Sequence, residues 1–174
     1  LEKAQISQAP QEVLDSINQM MELLETEQQR LEKLIAEHID KHKKLKEDYA
    51  LLKTIPGVGK VIATRMLMVI GSRQFKNAHQ LAAYLGLIPV QHESGSSIKG
   101  RSRLSKAGNP VIRAKLYMAT VSALRATPDI KAQYEHLLSK GKSKMSALGA
   151  AMRKLAQICF GVLKHQKTYQ PQVS

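Results

Sequence analysis

The chain has 174 residues, of which 43% are apolar and 24% are charged, so it is an ordinary folded protein and neither a disordered nor a fibrous one. Its 27 Lys and Arg exceed its 14 Asp and Glu, and the formal net charge of +13 makes a polyanion its most economical partner. No apolar run approaches the roughly 18 residues of a membrane span and no secretory signal is evident, so we expect a cytoplasmic protein with no membrane partner.

The charge divides the chain into two parts. Residues 1–50 hold 7 Lys and Arg against 11 Asp and Glu, whereas residues 51–174 hold 20 against 3. We therefore expect two domains with different roles, and nucleic acid is the leading candidate partner of the basic one. The alternative is a solvated basic face without a specific partner. The first residue is Leu rather than Met, which predicts that the chain is a piece of a longer protein.

Residues 13–52 carry apolar side chains at heptad spacing and are predicted to form one long helix. The seam consists of Val13, Ile17, Met20, Leu24, Leu31, Leu34 and Leu45. Such a helix would be about 60 Å long, so we expect it to project and to pair as a coiled coil with another helix, from a second copy or from a part of the same protein that is missing here. The alternative is a surface helix that folds back on the rest of the chain.

The stretch that follows has the pattern of a helix end, a tight turn and a helix start. Pro56 ends one helix, and Gly57 and Gly59 permit the positive backbone angles of a sharp hairpin. The pattern resembles a helix-hairpin-helix, whose amides hold a backbone phosphate, and Lys60 and Arg65 supply positive charge. The alternative is a plain turn between two core helices.

A short helix and a long loop are predicted next. Asn77 and Gln80 resemble a capping box, and Gly86 supplies the stop, so a helix occupies about 78–85. Residues 87–109 show no helical period, and a loop of this length is usually functional. Serine and glycine alternate there with four cations, a composition suited to phosphates: Lys99, Arg101, Arg103 and Lys106.

Three further helices are predicted after the loop. The first begins at Asn109 and Pro110, the second at Thr127 and Pro128, and the third at Ser143. The last helix has an apolar stripe of core residues: Met145, Leu148, Met152, Leu155, Cys159 and Val162. We expect Cys159 to be buried filler and the tail from residue 167 to be frayed.

The residues offer no complete metal site. His38 and His42 lie one helical turn apart, but no third ligand is evident. A two-metal phosphodiesterase needs several carboxylates, and residues 51–174 contain only three: Glu93, Asp129 and Glu135. Two options remain open at this point: binding without chemistry, or a hydroxyl nucleophile stabilised by cations.

Several motifs, in the right order over residues 50–165, resemble the C-terminal transposase domain of the insertion-sequence one-ten family, the DEDD or bridge-RNA-guided transposases. They are 54–59 (TIPGVG), 81–89 (LAAYLGLIP), 94–95 (SG), 100–101 (GR), 104–109 (LSKAGN) and 112–113 (IR). The acidic heptad segment is similar to the coiled coil that precedes this domain. The family's N-terminal domain, which carries metal-binding carboxylates, has no counterpart here.

The resemblance implies that Ser94 is the nucleophile that attacks a DNA phosphodiester and forms a transient phosphoserine link. It implies that Mg²⁺ is held by the absent domain, that dimers or tetramers assemble through the coiled coil, and that a structured guide RNA selects the DNA. It also implies a bacterial, nucleoid-associated protein whose present segment is inactive alone. The general base is either His92 or a metal-bound species of the absent domain, and we favour the second.

The sequence therefore predicts an all-α protein, with a coiled-coil helix over residues 1–50 and a basic transposase domain over residues 51–174. The predicted nucleic-acid contacts are Gly57, Gly59, Lys60, Arg65, Lys99, Arg101, Arg103, Lys106 and Arg113. Two other classes of function compete with a transposase. One is a binding module that breaks no bond, and the other is a scaffold that dimerises through residues 13–52.

Overall fold

The computed structural model describes residues 10–90, 93–94, 98–99 and 103–171, with the backbone alone for 93–94 and 98–99. The described part is almost entirely helical, which confirms the predicted all-α class. Its helices are α1 (Gln11–Lys41), α2 (Lys43–Lys53), α3 (Lys60–Gly71), α4 (Ala78–Tyr84), α5 (Pro110–Ala126), α6 (Pro128–Ser139) and α7 (Lys144–His165). None of them combines the length and apolar character needed to cross a membrane.

The segment predicted as a loop, residues 87–109, contains four strands of two residues each. They are β1 (Pro89–Val90), β2 (Glu93–Ser94), β3 (Ile98–Lys99) and β4 (Arg103–Leu104). β1 pairs with β4 and β2 with β3, both antiparallel, so the inner pair is nested within the outer pair along the sequence. The described strands are thus two short antiparallel pairs, which the absence of a helical period did not reveal. We call the strands β1–β4 together the ribbon.

The chain divides into two compact units, Leu1–Lys46 and Glu47–Ser174. The predicted single helix over 13–52 is wrong in one respect, because it breaks at His42, whose backbone is extended with φ −110° and ψ 105°. The Nδ1 atom of His42 lies 2.8 Å from the His38 carbonyl oxygen, so the imidazole engages a carbonyl of the last helical turn.

Helix α7 forms the centre of the second unit and packs against α3, α4, α5 and α6. Half of its residues are buried, including Leu155 and Cys159. The Cys159 thiol is free and packs in the core, as the sequence predicts. Met145 is an exception to the predicted stripe, because its side chain is 65% exposed. It lies in the first turn of the helix, before the buried segment begins at Ala147.

The helix caps follow the sequence closely. The Asn77 Oδ1 atom accepts from the Gln80 amide at 3.0 Å, and the Asn109 Oδ1 atom accepts from the Val111 amide at 2.8 Å. Thr127 departs from the pattern, because its hydroxyl makes no cap and donates instead to the Pro56 carbonyl at 2.9 Å. This bond ties the turn between α2 and α3 to the junction of α5 and α6.

The predicted fraying of the tail is wrong for residues 167–171. The Tyr169 amide donates to the Thr54 hydroxyl at 2.9 Å, and the Tyr169 hydroxyl donates to the Asp129 carboxylate at 2.8 Å. These two bonds join the tail to the turn after α2 and to the first turn of α6. A single aromatic residue therefore anchors a segment whose composition alone is polar and loop-like.

Candidate nucleic-acid interface

The predicted nucleophile lies in the ribbon. Ser94 ends β2, where it stands opposite Ile98 of β3, and Glu93 stands opposite Lys99. The predicted contact Lys99 is therefore in register next to the strand that carries Ser94. Arg101, Ser96, Ser97, Ser102 and His92 lie outside the described residues.

Two glycines form a tight joint at the base of the ribbon. Gly86 has φ +70°, and a Cβ atom there would lie 2.9 Å from the backbone nitrogens of Ala107 and Gly108. A Cβ atom on Gly108 would lie 2.2 Å from the Tyr84 carbonyl oxygen. Only residues without a side chain permit the end of α4 and the strand-to-helix connection to approach so closely. The motifs at 81–89 and 104–109, which carry part of the family resemblance, thus meet in one packed joint. This joint fixes both ends of the ribbon.

Three predicted cations lie at or near this joint. Arg103 is exposed on β4, opposite Val90. Lys106 is exposed and has φ +55°, a left-handed backbone that non-glycine residues adopt rarely. The half-buried Arg113 donates from its guanidinium to the Gly108 carbonyl, so it helps to hold the joint. Lys106 and Arg113 line one cavity of about 450 Å³ between β4, α5 and α7.

The hairpin between α2 and α3 packs on α5. Gly57 has φ +85°, and a Cβ atom there would lie 2.8 Å from the backbone of Ala123. Packing therefore accounts for Gly57, and its contact with a phosphate stays a prediction. Gly59 is exposed and precedes α3, and a Cβ atom there would meet nothing within 4 Å.

The remaining hairpin cations lie on α3, where Lys60 is exposed in the first turn and Arg65 is half-buried. The predicted contacts thus fall into two groups along α5, which we call the joint cations (Arg103, Lys106 and Arg113) and the hairpin group (Gly57, Gly59, Lys60 and Arg65). Arg113 and Ala123 are ten residues apart on this helix, which corresponds to about 15 Å. That length is about four base pairs along one strand of B-DNA.

The described residues do not fit a magnesium site. No three His, Cys, Asp or Glu side chains come together anywhere in the part of the chain that the structure describes. Hard divalent cations require several oxygen ligands. The Mg²⁺ that the resemblance implies for the family's N-terminal domain therefore has no set of ligands among the described residues.

Sequence reasoning missed two features of this unit. The first is the tight joint, for which the adjacent Gly108 and Asn109 before a proline offered a signal, since such glycines mark close backbone approach. The second is the pairing of Asp129 with Tyr169, which are 40 residues apart. Burial, together with the hydrogen bond to Asp129, raises the pKa of the Tyr169 hydroxyl, so the group stays a donor at neutral pH. No local pattern predicts such a pair.

Comparisons with known proteins agree on one family. Residues 49–135 match the family model described as Transposase IS116/IS110/IS902 family. The chain is 34% identical over 126 residues to the pilin gene-inverting protein of Moraxella lacunata, which is 71% of this chain and 39% of that protein. It is 32% identical over 131 residues to the transposase for insertion sequence element IS1111A of Coxiella burnetii, which is 73% of this chain and 36% of that protein.

A third relative extends over more of the chain. A probable family 20 transposase of Pseudomonas aeruginosa is 28% identical over 168 residues, which is 92% of this chain and 47% of that protein. The chain thus spans less than half the length of each of these three relatives.

Proposed function

The chain belongs to the IS116/IS110/IS902 family of transposases, and from this membership we propose that it is part of a DNA transposase or recombinase that binds DNA and supplies the serine nucleophile for strand exchange. The observation that carries the proposal is the family match over residues 49–135, which includes the ribbon with Ser94 and the tight joint that fixes it. The names of the relatives support a reaction on DNA, since one is a pilin gene-inverting protein and another a transposase.

The proposed chemistry is a transesterification. The Ser94 hydroxyl oxygen forms a bond to phosphorus, the bond from phosphorus to one deoxyribose oxygen breaks, and that oxygen leaves with a proton. The proton of the serine passes to a general base, either His92 or a group of the domain that carries the metals in this family. Because one phosphodiester replaces another, strands can be rejoined in a new pairing without a nucleotide cofactor. Inversion of a gene requires this conservation of bonds.

Binding to DNA rests on charge in this proposal. Residues 51–174 carry 20 Lys and Arg against 3 Asp and Glu, so release of condensed counterions supplies a large share of the affinity. The joint cations contact phosphates near the reacting bond, together with Arg101 and with Lys99 of β3. The hairpin group contacts the same backbone about four base pairs away. A structured guide RNA selects the DNA sequence, since backbone contacts carry no sequence information.

Self-association belongs to the same proposal. Helix α1 exposes a row of apolar side chains, among them Leu24 at 62% and Met20 at 63% exposure. These residues lie on the heptad seam, and burial of the seam against a second copy would remove them from water. Sedimentation at increasing concentration tests this point, and a chain that remains monomeric at 100 times the lowest concentration contradicts it.

The nucleophile is tested in the full-length protein that contains this chain. We expect Ser94→Ala to abolish covalent protein–DNA adducts on a substrate that traps the cleaved strand. Ser97→Ala, three residues further along the chain, is the control and should leave the adduct yield near that of the parent. Normal yield from Ser94→Ala would move the nucleophile elsewhere.

A salt titration of DNA binding distinguishes the proposal from the two competing classes. We expect log K to fall with log salt for the present chain, and Arg103→Ala to reduce the slope by about one contact. Binding by the full-length protein without an adduct under any condition favours a non-catalytic module. The absence of binding to any nucleic acid, with strong self-association, favours a scaffold.

A further inference from the structure

A second cavity lies on the second unit, and its lining contains none of the predicted nucleic-acid contacts. It has a volume of about 390 Å³ and lies between the start of α6, the second half of α7 and the tail. This volume is within the range of pockets that hold small ligands. Its lining includes Asp129, Lys154, Gly161, His165, Lys167 and Tyr169.

Asp129 provides an unsatisfied acceptor in this cavity. Its Oδ2 atom accepts from the Tyr169 hydroxyl at 2.8 Å, whereas its buried Oδ1 atom has no hydrogen-bond partner among the described residues. Buried carboxylate oxygens are rarely left without a donor, because the group then loses its hydration without compensation. The described residues therefore leave this oxygen open to a further hydrogen-bond donor.

Basic residues line the same cavity as this acceptor. Lys154, His165 and Lys167 line the same cavity, and none of the three forms an ion pair with another described residue. Asp129 is one of the three carboxylates among residues 51–174. A carboxylate repels phosphate, so it weakens a surface that binds only a phosphate chain. It is suited to a ligand that presents a phosphate to the lysines and an N–H donor to the acid.

Gly161 keeps the cavity open. It lies within α7, where glycine is disfavoured relative to alanine, and a Cβ atom there would meet nothing within 4 Å. Neither backbone angle nor close packing requires a glycine at this position, in contrast to Gly57 and Gly108. The missing side chain leaves room on the wall of the cavity.

We propose that this cavity binds one unpaired nucleotide of the DNA, with an amino-bearing base directed to Asp129 and its phosphates to Lys154 and Lys167. The inference rests on the DNA binding proposed above and adds a site that takes a base out of the duplex. Cytosine, adenine and guanine present an exocyclic amino group, whereas thymine presents a single imide N–H flanked by two carbonyl oxygens that a carboxylate repels. The cavity therefore selects against thymine.

The test measures binding of the present chain to three labelled duplexes of equal length. One is fully paired, one carries a single unpaired central dC and one a single unpaired dT. We expect the dC duplex to bind about tenfold more tightly than the other two, which is the usual contribution of one good base contact. Gly161→Leu, which fills the cavity, should remove this preference and leave the affinity for the paired duplex unchanged.

Two further variants complete the design. Gly71→Leu is the matched control, because Gly71 is an exposed helical glycine at which a Cβ atom also meets nothing within 4 Å. It should keep the preference for dC. Asp129→Asn can retain the bond from Tyr169 while it replaces the free acceptor with an amide donor, so it should favour dT over dC. A merely structural role for Asp129 does not produce this exchange of specificity.

The outcomes separate this inference from the proposed function. Equal binding of the paired and unpaired duplexes by the parent chain overturns the inference and leaves DNA binding intact. Retention of the dC preference by Gly161→Leu also overturns it. Failure to bind any of the three duplexes contradicts both the inference and the proposed function.

Discussion

Helices α1 and α7 have similar apolar patterns and opposite surroundings. α1 has 31 residues, of which Ile39 alone is buried among those the structure describes, whereas α7 has 22 residues, of which eleven are buried. The apolar side chains of α7 meet four other helices of the same unit. The large apolar side chains of α1 between Ile17 and Ile35 are exposed.

The difference shows that helical periodicity indicates which face of a helix is apolar. It does not indicate which part of the protein, or which partner, buries that face. In α7 the cover is the rest of the unit, so the stripe is a core. In α1 the cover is absent from the described residues, and a second copy is our proposal. Substitutions of the same kind in the two helices should therefore have different effects on folding.

The largest contrast is expected for leucine truncation. Leu155→Ala empties a fully buried position of α7 and should lower the free energy of unfolding by about 3 kcal/mol. Leu24→Ala, at a 62% exposed position, should change it by less than about 0.5 kcal/mol. Guanidinium unfolding followed by tyrosine fluorescence measures this, because all five tyrosines lie after residue 46. Equal losses would mean that α1 is part of the same core.

The thiol on α7 should make the second unit sensitive to alkali. Burial raises the pKa of Cys159 to about 12 from an ordinary value of 9.0, so the folded state binds a proton that the unfolded state releases. The stability that this thiol contributes is fully present below its ordinary pKa and falls as the pH rises above that value, by about 3 kcal/mol at pH 11. Unfolding midpoints between pH 8 and 11 test this. Cys159→Ala should show a shallower fall, and an equal fall would assign the effect to other groups.

A pair of threonines gives a smaller contrast. Thr127 is buried and donates to the Pro56 carbonyl at 2.9 Å, so Thr127→Val leaves that acceptor unpaired and should cost about 1 kcal/mol. Thr26 is exposed on α1 and donates to the Glu22 carbonyl at 2.8 Å. Thr26→Val should have no measurable effect on unfolding of the second unit. A loss for both variants would show that the two regions unfold together.

The smallest effect is expected for the ion pair on α1. Arg30 contacts Glu27 at 2.6 Å on the exposed surface, and its hydrogen bond holds the pKa of that carboxyl below the ordinary value. The ion pair therefore contributes to stability at pH values above the ordinary pKa of a glutamate. This contribution is lost as the pH falls through the lowered pKa of Glu27. NMR titration should show the midpoint of Glu27 rise in Arg30→Gln, without a measurable change in helix content at pH 7. An unchanged midpoint would contradict the contact.

The elements that follow local rules were predictable from the sequence. Asn109 before Pro110 marked the start of α5, and Asn77 with Gln80 marked that of α4, because caps depend on residues within one turn. The break at His42 was not predictable from periodicity, since an imidazole that bonds a carbonyl of the preceding turn leaves the apolar pattern intact.

The candidate site was predictable in chemistry more than in geometry. The residue types alone predicted which cations contact nucleic acid and that the segment around the ribbon is functional. The resemblance to the family singled out Ser94. The nested strands, the joint of Gly86 and Gly108 and the packing of Gly57 on Ala123 depend on contacts between distant parts of the chain. Such contacts leave no pattern in a single sequence, so these features required the structure.

The bond from Thr127 to the Pro56 carbonyl joins positions 71 residues apart in the chain. Gly57 also packs against Ala123. The turn after α2 can therefore complete its packing only after the end of α5 has been synthesised. During synthesis the first half of this unit must therefore wait for the second. A product truncated before Ala123 lacks the surface on which that turn rests, and it would present Ile55 and Val58, which the finished protein buries, to its surroundings.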